Sequence, residues 1–193
     1  MLHLSGESEA DQLLSDDPLA LLIGMVLDQQ IPLERAFTSP RDLRQRLGGG
    51  PLDAATLAAM EPEKLAAVFS ERPALHRFPA SNAERVQQLC AIIARDYGGN
   101  AARIWQGAPT GAELLRRVRA LPGFGDQKAK IFVALLGKQL GAQPPGWQEV
   151  SKPFGDPGTS YSVADITGPE SLARVRAHKA QIKAAAKANA AAE

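Results

Sequence analysis

Two short polar stretches, each set against an apolar run, hold most of the residues that could do chemistry. Leu27-Asp28-Gln29-Gln30-Ile31 puts a carboxylate and two amides at the end of the apolar segment Leu19 to Leu27. Polar groups at the end of a buried helix are costly unless they face a cleft or bond back to the chain. The second stretch is Leu121-Pro122-Gly123-Phe124-Gly125-Asp126-Gln127-Lys128-Ala129-Lys130. Pro122 and its glycines break the chain between two helical patterns. The N–H groups that follow Phe124 open a helix at its positive end, which is an anion site made of backbone. Gly123 and Gly125 keep side chains out of the way and reach backbone angles closed to other residues. Lys128 and Lys130 add positive charge beside them. A further carboxylate, Glu149, is the one acid in the Gly/Pro-rich segment from Gly141 to Gly155.

The elements that must position these groups read as helices. Asp17 caps a helix with Pro18 at its first position, and that helix is apolar all round, hence central and buried. Pro32 restarts the chain in a helix through Phe37, and Ser39-Pro40 begins another through Leu47. Pro62 opens a segment to Phe69. Ser81-Asn82-Ala83-Glu84 has the form of a capping box and starts a helix with Val86, Leu89, Cys90 and Ile93 on its apolar side. Thr110-Gly111-Ala112-Glu113 is a second such box, and the helix it opens carries Leu114, Leu115, Val118 and Leu121 on one face. The helix from Gln127 to Leu140 is nearly continuously apolar at Ile131 to Leu136. Tyr161-Ser162-Val163 reads as extended. Thr167-Gly168-Pro169-Glu170 opens a basic, alanine-rich helix with Arg174, Arg176, Lys179, Lys183 and Lys187. No strand pattern of useful length is present, so the expected class is all-α. The expected organisation is a flexible acidic arm over 1–17, a helical core over 18–140, a Gly/Pro-rich loop over 141–168 and a basic helix packing on the core over 169–193.

Composition narrows the function. The chain has 193 residues, 45% hydrophobic and 22% charged, with net charge +1. Its distribution is uneven. Met1 to Asp17 holds five acids and no Lys or Arg, whereas Leu114 to Gln148 holds six bases (Arg116, Arg117, Arg119, Lys128, Lys130, Lys138) against Asp126 alone. A basic surface around the glycine turn is what phosphate contacts need. Cys90 is the sole cysteine, which excludes an internal disulfide, a cysteine-based zinc site and an iron–sulfur cluster. His3, His76 and His178 show no metal-ligand spacing. No signal peptide or membrane-spanning run is visible, which leads to the expectation of a cytoplasmic protein with no membrane partner.

The stretch Leu121 to Gly125 resembles the helix-hairpin-helix of DNA-binding and base-excision repair proteins, Leu-Pro-Gly-hydrophobic-Gly. Together with Gln29-Gln30-Ile31 and Arg77-Phe78-Pro79-Ala80-Ser81-Asn82-Ala83, it resembles the HhH-GPD base-excision DNA glycosylase superfamily, most of all its 3-methyladenine glycosylase-like members, over about Pro18 to Pro145. The resemblance implies a two-lobed helical fold and a monomer on double-stranded DNA. It also implies hydrolysis of the glycosidic bond of a flipped, damaged base. A monovalent cation at the hairpin carbonyls is possible by the same likeness. DNA contacts would fall to Gln29, Gln30, Gly123, Phe124, Gly125, Gln127, Lys128 and Lys130.

Two departures stand out. Bifunctional members carry a lysine nucleophile two residues after the second hairpin glycine, and here that residue is Gln127. Lys128, one step on, is expected on another side of the helix, so a monofunctional enzyme is expected. The family's aspartate follows the hairpin's second helix, but Gly141 to Gly155 has none. The candidate carboxylates are then Glu149 and Asp28, with Asp156 and Asp165 lying later. Two other readings fit the sequence: a non-catalytic lesion- or structure-binding protein of the same fold, and a helical interaction module with no DNA role.

Overall fold

The computed structural model describes residues 1–190, which form ten α-helices and no strand among them. In order these are α1 (Ser8–Asp16), α2 (Pro18–Leu27), α3 (Leu33–Arg46), α4 (Ala54–Ala59), α5 (Pro62–Ser70), α6 (Pro79–Asp96), α7 (Gly111–Arg119), α8 (Asp126–Gln139), α9 (Trp147–Val150) and α10 (Pro169–Ala190). Short 3₁₀ turns lie at Ala101–Ile104 and Val163–Asp165. Helices α1 and α3 to α6 gather on one side, and α7, α8, α9 and the Val163–Asp165 turn on the other. Helix α2 runs between them, buried from Leu19 to Leu27, and the two sides share one continuous apolar core. None of the described helices is long and apolar enough to cross a membrane.

The cap on α2 is as the sequence suggests: the Asp17 carboxylate accepts from the N–H groups of Leu19 (2.9 Å) and Ala20 (3.2 Å). At the start of α7 half of the expected capping box forms: Thr110 Oγ1 accepts from the Glu113 N–H, while the Glu113 carboxylate accepts from Arg116 and Arg117 instead.

Four expectations are corrected. Residues 1–17 are not a loose arm. Leu2, Leu4, Ala10 and Leu14 are in the core, and the buried Asp11 carboxylate accepts from Leu4 N–H, Ser5 N–H and the Ser5 hydroxyl. The acids that made the segment look solvated therefore include one that ties it down. Second, Ser39-Pro40 does not start a new helix: α3 runs through Pro40. The Ser39 hydroxyl lies within hydrogen-bonding distance of the Arg35 and Leu75 carbonyls, and Arg35 reaches the Ala74 carbonyl, so tertiary bonds hold the turn that proline weakens. Third, Ser81 to Glu84 is no capping box. Helix α6 starts earlier, at Pro79, and Asn82 is buried within it. Fourth, only part of Tyr161-Ser162-Val163 is extended: Ser162 is in extended backbone, but Val163 begins a 3₁₀ turn that Ser162 and Asp165 cap reciprocally.

The segment 141–168 is likewise folded down. Trp147 lies in the hollow left by Gly137 of α8, where a Cβ would come within 2.4 Å of its ring. Asp165 accepts from Lys138 Nζ (2.6 Å), Tyr161 N–H and Ser162 N–H. Trp147 is therefore a packing residue. In α10, Ser171 and Val175 are buried against the core, whereas every residue from Gln181 to Ala188 is exposed. Residues 191–193 lie outside the described residues.

The Trp147 contact predicts that Gly137→Ala displaces the indole, because the added methyl meets its ring and not a flexible side-chain end. The expected cost is about 1–3 kcal/mol in urea unfolding, with a red-shifted tryptophan emission. An unchanged midpoint and spectrum would contradict this packing.

Candidate functional site

The end of α2 and the start of α8 meet. Lys128, in the first turn of α8, turns its ammonium to the Met25 carbonyl (2.7 Å), with the Val26 carbonyl at 3.4 Å. These are among the last carbonyls of α2, which have no partner within the helix and carry its negative end. Burial pushes the Lys128 ammonium below its ordinary pKa; the Asp28 carboxylate opposes that shift and Arg85 adds to it. Lys128 therefore joins two helices at the cleft. Gln127 beside it is exposed, so the two residues face different ways from α8, as the sequence led one to expect.

Beside this junction opens a cleft of about 840 Å³. Met25, Asp28, Gln29, Gln30 and Ile31 form its floor on one side, Gln127, Lys128 and Ile131 on another. Phe154 and Tyr161 come from the 141–168 segment, and His178, Lys179, Ile182 and Lys183 from α10. The Tyr161 and His178 rings stack with centroids 4.6 Å apart. Burial raises the Asp28 pKa above the usual carboxylate range, against the pull of the Lys179 and Lys128 ammonium groups.

The Gln29-Gln30 turn is held by groups that sequence reasoning passed over. The buried His76 ring sets Nε2 2.9 Å from the Gln29 carbonyl. Its Nδ1 receives the Phe78 N–H (3.1 Å) and lies 2.8 Å from the Asn82 side-chain nitrogen. Two donors at Nδ1 fix the neutral ring with its proton on Nε2, which then donates to Gln29. Burial lowers the His76 pKa first; the bond to Gln29 opposes this, and Arg85 and Lys128 deepen it. Gln30 sits at φ 58°, a left-handed conformation costly for a residue with a side chain. Nothing in the spacing of the histidines revealed this role, because the Gln29 carbonyl it serves is a backbone atom 47 residues away.

The hairpin corrects three further expectations. Gly123 has φ 83° and packs against Arg85 and Val26, so its freedom is used. Gly125 is in ordinary extended backbone, and nothing lies within 4 Å of where its Cβ would be. Its role is to leave the first turn of α8 open, and that turn has no side-chain cap. The Phe124 side chain is buried against Phe132, with ring centroids 5.5 Å apart, so only its backbone faces outward. The six-to-one charge count also overstates the field here. Arg116 and Arg117 pair with Glu113, Lys138 with Asp165, and Arg119 and Lys130 with Asp126. Positive charge near the cleft comes instead from Arg85, Lys128, Lys179 and Lys183, three of them on other helices.

Of the two candidate carboxylates, Asp28 lines the cleft and Glu149 does not. Glu149 stands on α9 with its side chain 75% exposed, paired with Lys152. Asp165 is taken up in holding its own segment. Cys90 is buried, its thiol pushed up to about 12 by burial, and it packs.

His76 predicts a pH dependence. Its folded pKa lies below the unfolded value, so the unfolded chain takes up the proton first as pH falls below about 6.5. Its stabilising bonds are thus fully present above that pH and lost as pH drops through the folded value. His76→Ala leaves the Gln29 carbonyl and the Phe78 N–H without their side-chain partner and opens a cavity, at about 2–4 kcal/mol. Urea unfolding at pH 7 and pH 5 should show a smaller difference between the two pH values in this variant than in wild type; equal differences would remove His76 from the account.

No curated protein and no solved structure matches the chain significantly. A model of the HhH-GPD superfamily base excision DNA repair protein matches residues 23–193, from the middle of α2 onward. That span contains the hairpin, the Gln29-Gln30 turn and the whole cleft, and it covers well over half of the sequence. The chain belongs to the HhH-GPD superfamily of base excision DNA repair proteins.

Proposed function

We propose that this protein is a DNA glycosylase that binds duplex DNA at the hairpin and hydrolyses the glycosidic bond of a damaged base received in the cleft. The observation that carries this reading is the convergence of Asp28, Gln29 and Gln30 with Gln127 and Lys128 in one cleft flanked by aromatic rings. A base extruded from the stack needs such a place: apolar and aromatic walls to replace stacking, and amides to read its edge. Phe154 and Tyr161 supply the first, Gln29, Gln30 and Gln127 the second. The uncapped N–H groups of Asp126, Gln127 and Lys128, left open by Gly125, suit a phosphate, which fixes register without reading sequence.

Asp28 is the carboxylate in this reading. As the bond from the sugar carbon to the base nitrogen breaks, its electron pair leaves with the base and positive charge grows on the sugar. A carboxylate held in a poorly solvated cleft stabilises that charge strongly. Water then attacks the sugar carbon and gives its proton to the carboxylate. The reaction as proposed uses no cofactor. The protein acts as a monomer on this reading, since the cleft is complete within one chain.

A second reading, attack by the Lys128 amine, is favoured by the place of Lys128 in the cleft and by its lowered pKa. Its hydrogen bond to Met25 argues for the first reading, because a donor ammonium has no free electron pair. Borohydride reduction separates them: no covalent adduct with abasic duplex is expected, and an adduct abolished by Lys128→Ala would establish the second reading.

Asp28→Asn tests the acid. Excision on a panel of damaged duplexes should fall by ~10²–10⁴-fold, while duplex affinity stays within about threefold. The same change should raise Tm at pH 7. The folded pKa of Asp28 is raised, so its ionised form costs stability above that pKa, and asparagine removes the cost. Wild-type excision rates in Asp28→Asn, on a lesion that the wild type processes, would place the chemistry elsewhere; so would a lowered Tm with unchanged excision.

A further inference from the structure

Helix α10 changes character along its length. One face carries Ser171, Leu172 and Val175 onto the core, then His178, Lys179, Ile182 and Lys183 along the cleft. The same four-residue step continues to Lys187 beyond it. From Gln181 to Ala188 every side chain is exposed, so about 12 Å of helix has its side chains turned to solvent past the cleft's edge. Its anchors are near its start: Val175, the Ser171 hydroxyl receiving the Thr167 and Gly168 N–H groups, and the ion pair of Arg176 with Glu34.

Two observations show that this part is unfinished as a surface. Lys179, Lys183 and Lys187 have no carboxylate partner among the described residues, although most other bases of the chain do. Ile182 is 57% exposed and Tyr161 37%, and both line the cleft. A solvent-facing helix with no packing is marginal on its own, even when rich in alanine. The lysines repeat every ~6 Å along the axis, against one duplex charge per ~1.7 Å, so each can meet its own phosphate.

We infer that the second half of α10, from Lys179 onward, is a second DNA-binding element, in which Lys179, Lys183 and Lys187 hold the backbone flanking the nucleotide in the cleft. This rests on the glycosylase reading above and adds a surface to it that the hairpin does not provide. With Lys179 beside Asp28, the helix also links backbone binding to the acid: a strand drawn onto the lysines is drawn over the cleft mouth. Ile182 and Tyr161 would lose water when that strand arrives.

The test is the salt dependence of duplex binding, measured by fluorescence anisotropy with a labelled duplex containing an abasic analogue. Lys183→Gln with Lys187→Gln should reduce the slope of log K against log salt by about 1.8 units, since each lost phosphate contact removes ~0.9. Lys183→Arg with Lys187→Arg should keep the wild-type slope, and Lys64→Gln, on α5, should leave it unchanged. Both positions are exposed, and an unchanged Tm in each variant verifies that folding is intact. A wild-type slope in the double glutamine variant overturns the inference while leaving the hairpin reading intact. Tighter binding by that variant also overturns it, showing a helix that obstructs the cleft. A wild-type protein with no duplex affinity at any salt overturns both this inference and the glycosylase reading.

Discussion

The Lys128 ammonium, 2.7 Å from the Met25 carbonyl, joins the first turn of α8 to the last turn of α2, and the cleft exists because those two helix ends are held together. Each end has a need that the other meets. The final carbonyls of α2 have no partner within their helix and stand at its negative end; a buried ammonium is costly unless such acceptors surround it. The hairpin sets the geometry. Gly123 at φ 83° lets the chain pass Arg85 and Val26 closely enough for α8 to start beside the end of α2. One consequence is that the residues after the hairpin face two directions. The backbone of the first turn opens outward, while the side chain of Lys128 points back into the protein.

The same junction sets the electrostatics of Asp28. Burial favours the neutral acid, and Lys179 and Lys128 favour the carboxylate, with burial prevailing. A carboxylate kept at a cost in stability is typical of a site shaped for reaction more than for folding. Gln30 shows a similar cost in its backbone, and the buried network of His76, Asn82 and the Gln29 carbonyl holds it in place. Charges and strain of this kind persist only where the surroundings fix them, and here the buried His76, just before α6, and Asn82 in its first turn provide the fixing.

Much of this was legible in the sequence where the signal was local. Asp17-Pro18 marked the start of α2, Thr110 that of α7, and Leu121 to Gly125 the hairpin. The Gln-Gln segment stood out because amides after a buried helix need a reason. Where burial and pairing are decided by the folded structure, the sequence misled. Acidic residues at the N-terminus suggested an arm, yet Asp11 is buried on backbone donors. Pro40 suggested a break, yet tertiary bonds carry α3 through it. Five of the six bases counted around the hairpin pair with Glu113, Asp126 or Asp165, and a count cannot show pairing. Glu149 looked suitable by elimination within one segment, but α9 turns it to solvent, and the acid in the cleft comes from the other end of the chain.

The account depends most on DNA meeting the protein at the joined ends of α2 and α8, and hydrogen exchange reads that directly. The N–H groups of Asp126 to Lys128 have no side-chain cap, so they exchange fast in the free protein and slowly once phosphates accept from them. Exchange should be compared with and without a saturating duplex that carries a tetrahydrofuran abasic analogue. The account predicts slowed exchange at residues 28–31 and 123–128, with residues 54–70 on α4 and α5 unchanged. Protection confined to 54–70, or full binding with no change at 123–128, would contradict it.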